Sequence, residues 1–122
     1  MCSSDLLAVI VDRESQKWFR PVRGQFLIFY KWGAEQPEYQ PDFVAETESS
    51  IYMIETKAKN EMDDPEVLAK RDAAVTWCER ATIHAATYKG KAWKYLLVPH
   101  DAIADNITLP RLEHDHIVIP DA

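Results

Sequence analysis

The residues of this sequence best suited to chemistry are two acids and a base that lie around one turn. Asp42 follows a proline, and Glu55 and Lys57 end an apolar run that begins at Ile51. Side chains alternate along a strand, so Glu55 and Lys57 share one face while Thr56 points to the other. A buried strand seldom ends in charged residues, because an unpaired buried charge is costly. The pattern therefore indicates that these charged side chains bind an ion or another ligand.

A hairpin around the turn 47–50 would bring the two acids together. If its loop has two or four residues, positions whose numbers sum to 97 face each other, which places Val44 opposite Met53 and Asp42 opposite Glu55. Opposed carboxylates destabilise a sheet by up to about 1 kcal/mol and raise each other's pKa, so a cation is expected between them. Mg²⁺ binds through one or two carboxylates and contacts substrate phosphate. The pattern predicts a Mg²⁺ site completed by Lys57.

A simpler explanation of the same residues is an exposed strand end. In that case Glu55 pairs with Lys57 or Lys59, and Asp42 only caps the turn after Pro41. A Glu-x-Lys tripeptide is common, so the spacing alone does not separate the two interpretations.

The composition predicts one cytoplasmic domain with a single core. The chain has 122 residues, of which 47% are hydrophobic and 28% charged, as is usual for globular proteins. No apolar run approaches the roughly 20 residues of a membrane span, and the N-terminus lacks the pattern of a signal peptide. Cys2 and Cys78 lie far apart, so neither a disulfide framework nor a thiol-based zinc site is predicted.

The charge is unevenly distributed along the chain. A net charge of −6 argues against a protein that coats nucleic acid through bulk electrostatics. However, the segment 13–31 has five basic residues and one acid, whereas 101–122 has five acids and one Arg. The basic segment could meet phosphate, although a solvated face with scattered charge is the simpler explanation.

Three further sets of residues are weaker candidates for binding a metal ion or DNA. His114 and His116 would share a strand face and could bind zinc, but they have no identifiable third ligand, which favours a solvated tail. Lys70 and Arg71 could reach a DNA backbone, although the acids at the start of their helix disfavour phosphate there. Core packing explains the remaining aromatic residues better than base stacking does: Trp18, Phe19, Trp77 and Trp93.

The pattern of apolar and turn residues predicts the order helix, three strands, helix, strand. Pro65 after Asp64 marks a helix start, and the helical connection of roughly 30 residues that follows favours parallel, right-handed pairing of the last two strands. The predicted elements are a helix at 4–12, with a strand as the alternative; strands at 25–32, 39–46 and 51–58; a helix from Pro65 to about Ala86; and a strand at 92–98. The strand at 25–32 is expected to be buried on both faces.

The stretch YQPDFVAETESSIYMIETKAK closely resembles the PD-(D/E)xK nuclease motif. Pro41 and Asp42 match its first half, and Glu55, Thr56 and Lys57 match its second half. The segments KWFRPVRGQFLIFY, AKRDAAVTWC and KAWKYLLVPHDAI also look like the C-terminal endonuclease region of type III restriction enzyme Res subunits. The likeness covers most of the chain, roughly Lys17 to Ile107.

The resemblance implies a fold, a metal and a reaction. The fold is an α/β restriction-endonuclease-like core of α-β-β-β-α-β order, with a mixed sheet flanked by helices in a single domain over 1–122. Asp42, Glu55 and the backbone carbonyl of Thr56 would hold Mg²⁺, for which Mn²⁺ could substitute. Lys57 would position or activate the attacking water, and the reaction would be hydrolysis of DNA phosphodiester bonds.

The resemblance also implies partners within a bacterial restriction system. These are DNA and the helicase or translocase and methyltransferase subunits, and a second nuclease copy is needed to cut both strands. No Walker loop is present, so the chain is expected to be a detached nuclease domain or a C-terminal fragment of a larger restriction subunit. The alternative is a catalytically inactive module of the same fold that binds DNA or a partner subunit.

One feature of the family pattern is missing. Its members commonly carry a further Glu on the first helix, but near Ser4 and Asp5 this sequence has none. Asp5 could substitute, Glu14 could reach the site from elsewhere, or the chain could begin inside that helix. The departure weakens the expectation of a second metal position.

Overall fold

A five-stranded mixed sheet flanked by helices forms the centre of this α/β protein. The computed structural model describes residues 3–120. Its elements are α1 (Ser3–Glu14), β1 (Lys17–Phe19), β2 (Ile28–Phe29), β3 (Glu38–Tyr39), β4 (Phe43–Glu46), β5 (Ser50–Lys57), α2 (Pro65–Ala86), β6 (Ala92–Pro99), α3 (Leu109–His116) and β7 (Ile117–Val118). The main sheet has the order β1-β4-β5-β6-β7, and β2 and β3 form a separate two-stranded sheet.

The central strand β5 organises the sheet. It pairs antiparallel with β4 and parallel with β6, in a register that places Met53 beside Tyr95. The helical connection through α2 makes this parallel pairing possible, as predicted. Met53 and Ile54 are both fully buried, which explains the unbroken apolar run in the sequence.

Each face of the sheet packs against different helices. On one face, Ile54 lies in a core cluster with Ile10 of α1 and Leu112 of α3. On the other face, Met53 lies in a cluster with Val75 of α2. Each of these buried apolar side chains contributes about 1.5–3 kcal/mol to folding. Since Glu55 follows the alternation of Met53, the packing assigns its side chain to the α2 side.

The predicted helices are confirmed. The helix expected at 4–12 is α1, and the strand alternative is wrong. The long helix begins at Pro65 and ends at Ala86 as predicted, although the Asp64 side chain makes no capping hydrogen bond. Cys78 is a free, buried thiol, whereas Cys2 lies outside the described residues. No helix within 3–120 is long and apolar enough to cross a membrane.

The prediction of a doubly buried strand at 25–32 is wrong. Only Ile28–Phe29 is extended, and it pairs with β3 outside the main sheet. Leu27 adopts a positive φ of 55°, which breaks the alternation, and it is 60% exposed. The first strand of the main sheet is instead Lys17–Phe19, where no strand is predicted from the sequence.

The strand expected at 39–46 is divided in two. Glu38–Tyr39 pairs with β2, and Phe43–Glu46 pairs with β5. Pro41 lies between the two strands and has no N–H to donate to a ladder, so it separates them.

The C-terminal segment is also more ordered than the sequence predicts. His114 and His116 lie in α3, where residues two positions apart do not face the same way, so the predicted shared strand face is wrong. Thr108 begins this helix by accepting a hydrogen bond from the Arg111 N–H at 3.2 Å. Leu109 and Leu112 anchor it in the core.

Candidate functional site

The candidate site lies where β4 begins and β5 ends. Val44 is the partner of Met53, as predicted, and Phe43 is the partner of Ile54. The Asp42 N–H also donates to the Ile54 carbonyl, at 3.1 Å. The paired register ends at Phe43 and Ile54, and Asp42 lies just before β4. The prediction that Asp42 is the ladder partner of Glu55 is therefore wrong.

The Asp42 carboxylate is hydrogen-bonded to Thr56. Its Oδ2 accepts hydrogen bonds from the Thr56 N–H at 2.8 Å and from the Thr56 hydroxyl at 2.9 Å. Asp42 lies just before β4, outside the ladder. Its carboxylate, and not a backbone carbonyl, therefore accepts the Thr56 N–H. The other oxygen of Asp42, Oδ1, accepts no hydrogen bond from any side chain or amide within 3–120. Thr56 therefore positions Asp42, and coordination through the Thr56 carbonyl stays a prediction.

Glu55 is a buried acid without adequate partners. Its side chain is only 8% exposed, and its Oε1 has no hydrogen-bond partner among the described residues. Burial, followed by the charge of Asp42, raises the pKa of Glu55 to about 8, against the smaller opposing effects of Lys57, Tyr39 and Lys70. The nearby charges are thus insufficient to keep this carboxyl ionised at neutral pH, and an added cation would do so.

Lys57 lies beside Glu55 without being bound tightly to it. Its Nζ is 3.7 Å from Glu55 Oε2, which is an ion-pair distance but too long for a good hydrogen bond. Lys59 instead approaches Asp101, at 4.0 Å. The structure therefore differs from an exposed strand end, since Glu55 is buried and the Lys57 ammonium keeps donors for another partner.

Two tyrosines and a lysine that the motif did not reveal surround the site. The hydroxyls of Tyr39 and Tyr95 are 3.0 Å apart in the core, and the charge of Glu55 adds to the effect of burial in raising both pKa values. Lys70 of α2 lies over the ring of Tyr30 at 5.6 Å, and its charge helps to lower the pKa of Glu55. Tyr95 is predictable at the site, because the parallel register of β5 and β6 pairs Met53 with Tyr95.

The side chains present fit a hard divalent cation. Glu55 Oε1 and Asp42 Oδ1 are oxygen atoms without hydrogen-bond donors in the part of the chain that the structure describes. No group of three or more His, Cys, Asp or Glu residues with metal-binding geometry occurs within 3–120. Mg²⁺ needs only one or two carboxylates, because water and substrate oxygens complete its six positions.

A second metal position finds no support in α1. Glu14 Oε1 accepts the Leu109 N–H at 2.9 Å, and its other oxygen pairs with Arg13 at 2.6 Å. Asp5 is exposed on the first turn of α1, and no contact among the described residues joins it to Asp42 or Glu55.

No protein-family model, curated protein or solved structure matches this chain. The site itself is thus the basis for a function. It combines two acids, one of them buried and unsatisfied, with an ammonium group at the open end of a hairpin. Such a set can bind a cation and orient a water molecule beside an anionic substrate.

Proposed function

We propose that this chain is a Mg²⁺-dependent DNA endonuclease domain of a bacterial restriction system. The observation that carries the proposal is the unpartnered, buried Oε1 of Glu55, in a motif that also supplies Asp42 and Lys57. A merely structural acid at this depth would have hydrogen-bond donors around both oxygens. A metal-binding acid is expected to lack them in the protein alone.

The order of the elements supports a restriction-endonuclease-like core. If the small β2–β3 sheet is treated as an insertion, the chain follows α1, β1, β4, β5, α2 and β6, which is the α-β-β-β-α-β order of that fold. The strands β4 and β5 are antiparallel, and β5 and β6 are parallel. The motif residues lie at the end of this sheet where β5 leads into α2.

Each site residue has a defined task in hydrolysis of a phosphodiester bond. Asp42 and Glu55 would hold Mg²⁺, and Thr56 fixes the Asp42 carboxylate through its two hydrogen bonds. When bound, Mg²⁺ supplies positive charge that stabilises the charge developing on the phosphoryl oxygens. The Lys57 ammonium orients the attacking water in line with the leaving oxygen. The water oxygen bonds to phosphorus as the bond to the leaving oxygen breaks, the attacking water releases a proton to solvent, and the leaving oxygen takes up a proton from solvent to become a hydroxyl.

Cleavage of supercoiled plasmid tests the proposal. We expect the wild type to cut with Mg²⁺ or Mn²⁺ and not with EDTA. Lys57→Ala and Glu55→Gln should each lower the rate by about 1,000-fold or more, because the orienting ammonium and the metal-binding acid are removed. Glu46→Gln, at the other end of the same hairpin, should leave the rate unchanged.

Two results would contradict this assignment. Cleavage that survives unchanged in Lys57→Ala would place the activity at another site or in a contaminant. Cleavage in EDTA at the rate seen with Mg²⁺ would exclude the metal-dependent reaction.

A further inference from the structure

A groove beside the candidate active site is lined by β2 and the outer face of α2. It has a volume of about 520 Å³, within the range of small-molecule sites. One wall consists of residues 27–31 and the other of α2 residues between 69 and 80. The groove is open to solvent.

The β2 side of the groove exposes apolar side chains that the core does not use. Phe29 is 52% exposed and Leu27 is 60% exposed, although both line the groove. The intervening Ile28 and the following Tyr30 are buried, and the Tyr30 hydroxyl donates to Glu66 Oε2 at 2.7 Å. Ile28 and Tyr30 thus hold the short hairpin to α2, and the exposed Phe29 lies among the residues that line the groove.

The charged side chains that line the groove include two bases and one acid. Lys31 and Arg80 line it, and neither has a carboxylate within 4.0 Å among the residues 3–120. The acid in the groove, Asp72, is paired with Arg71 at 3.0 Å. In a chain with a net charge of −6, two free cations beside an exposed ring indicate a ligand that is both aromatic and anionic.

We propose that this groove binds an unpaired nucleotide of a DNA strand, whose base stacks on Phe29 and whose phosphates contact Lys31 and Arg80. Bases in a duplex already stack on one another, so an exposed ring gains most from a base that has left its stack. This inference rests on the proposed function only in that the bound strand is taken to be the substrate strand.

The groove and the candidate active site share structural elements. Tyr30 borders the groove, and its ring lies below Lys70, which is near Glu55. Ile28 of the same hairpin pairs with Tyr39, whose hydroxyl contacts Tyr95 beneath the site. A strand that leaves the site over Lys70 would therefore enter the groove.

Binding in EDTA tests this inference without any cleavage. The probe is a fluorescein-labelled oligothymidylate of about 20 nucleotides, which exceeds one single-strand site, compared with a duplex of the same length. We expect the single strand to bind more tightly than the duplex. Phe29→Leu should weaken single-strand binding about 10-fold, because it removes the ring and keeps the apolar bulk. Lys31→Gln and Arg80→Gln should each lower the salt slope by about 0.7.

The chain offers matched controls at the far end of α2. Tyr88 is 65% exposed and Lys89 is exposed, and neither lines the groove. Tyr88→Leu and Lys89→Gln should leave the affinity and the salt slope unchanged. All variants alter exposed side chains, so their melting temperatures should stay close to that of the wild type, which checks the fold.

Two outcomes would overturn the inference. One is equal single-strand affinity in Phe29→Leu and Tyr88→Leu. The other is concentration-dependent dimerisation in sedimentation that Phe29→Leu abolishes with no effect on oligonucleotide binding, since the groove would then join two copies of the chain. A wild type that binds the oligonucleotide as expected but never cleaves with Mg²⁺ would contradict the proposed function and leave this inference standing.

Discussion

Each end of the β4–β5 hairpin carries a glutamate near a lysine, but the pKa values of the two glutamates are shifted in opposite directions. At the turn end, Glu46 pairs with Lys91 at 2.7 Å and with Lys17 at 3.3 Å. The hydrogen bond from Lys91 lowers the pKa of Glu46, and Lys17 adds to the effect. At the open end, burial and Asp42 raise the pKa of Glu55.

The difference lies in the balance of charge and in exposure. The turn end has one acid and two bases at the surface, so its charges are satisfied within the protein. The open end has two acids, Asp42 and Glu55, and one base, Lys57; of these Glu55 is buried, and its Oε1 has no partner among the described residues. The balanced cluster satisfies its own charges, whereas the acid-rich one would gain stability from an added cation. The residue types alone do not distinguish the turn end of the hairpin from its open end.

The pH dependence of stability gives the largest expected contrast. In EDTA, the folded protein keeps Glu55 protonated up to about pH 8, whereas the unfolded chain releases this proton near pH 4.5. The folded state binds the extra proton between these values, so the free energy of unfolding should fall as the pH rises, by up to about 1.4 kcal/mol per pH unit. Denaturant titrations at several pH values measure this slope.

The isosteric variants sharpen this test. Glu55→Gln should remove the slope between pH 5 and 8, because it cannot ionise, and should be more stable than the wild type at pH 8. Glu46→Gln should keep the slope and be slightly less stable at every pH above 5. A wild-type slope that persists in Glu55→Gln would mean that another group binds the proton.

Metal affinity gives the next largest contrast. We expect Mn²⁺ to bind the wild type in calorimetry and Asp42→Ala to bind it about 100-fold more weakly, because one carboxylate ligand is lost. Lys57→Ala should bind Mn²⁺ normally, and Glu46→Gln should do so too.

The same titration separates the active enzyme from a silent module. Wild-type binding that depends on Asp42, together with no cleavage of DNA, would support the catalytically inactive alternative. Equal heats in wild type and Asp42→Ala would contradict a metal site at this end of the hairpin.

Two threonines offer a contrast of intermediate size. Thr56→Val removes the 2.9 Å hydrogen bond to Asp42 and should lower cleavage about 10-fold, because outer-shell partners orient metal ligands. Thr47→Val, at the turn, removes the 3.2 Å contacts with Ser50 and should cost about 1 kcal/mol of stability with activity intact. Thr56→Ser should retain most activity. The reverse pattern, in which only Thr47→Val loses activity, would contradict the assigned roles.

The smallest expected effect concerns the satisfied cluster at the turn. Lys91→Met removes the hydrogen bonds to Glu46 and to the Thr47 carbonyl, each shorter than 3.0 Å. Because the pair is partly exposed, we expect a loss of only about 0.5–1 kcal/mol, measured by denaturant unfolding in low salt. Addition of salt to the wild type should reproduce part of this loss. A much larger loss of stability would mean that the Lys91–Glu46 pair is shielded from solvent as strongly as a buried pair.

The parts of the fold set by local patterns could be predicted from the sequence. Pro65 after Asp64 marked the start of α2, and the run Ile51–Ile54 marked β5 with its hairpin register. The strand at 25–32 could not be placed, because its aromatic residues suit a surface groove as well as a core. Leu27 with its positive φ gives no sequence signal that the strand stops there.

For the site, the motif identified the acids and the lysine but not their arrangement. The ladder ends at Phe43, whereas a register rule continues the pairing to Asp42 and Glu55. The hydrogen bonds from Thr56 to Asp42 depend on where the ladder ends, so they could not be predicted either. The burial of Glu55 depends on Tyr39 and on α2, which lie far from it in sequence.

The position of β5 in the sheet has a consequence for amide hydrogen exchange. All eight residues of β5 pair with β6, and four of them also pair with β4. Exchange at these amides should therefore require global opening, whereas β1 and the short β2–β3 hairpin should exchange by local fraying. The amides of β5 next to the acids would then be among the last in the molecule to exchange with deuterated solvent. The amides of the β2–β3 hairpin, which borders the groove, would exchange much earlier.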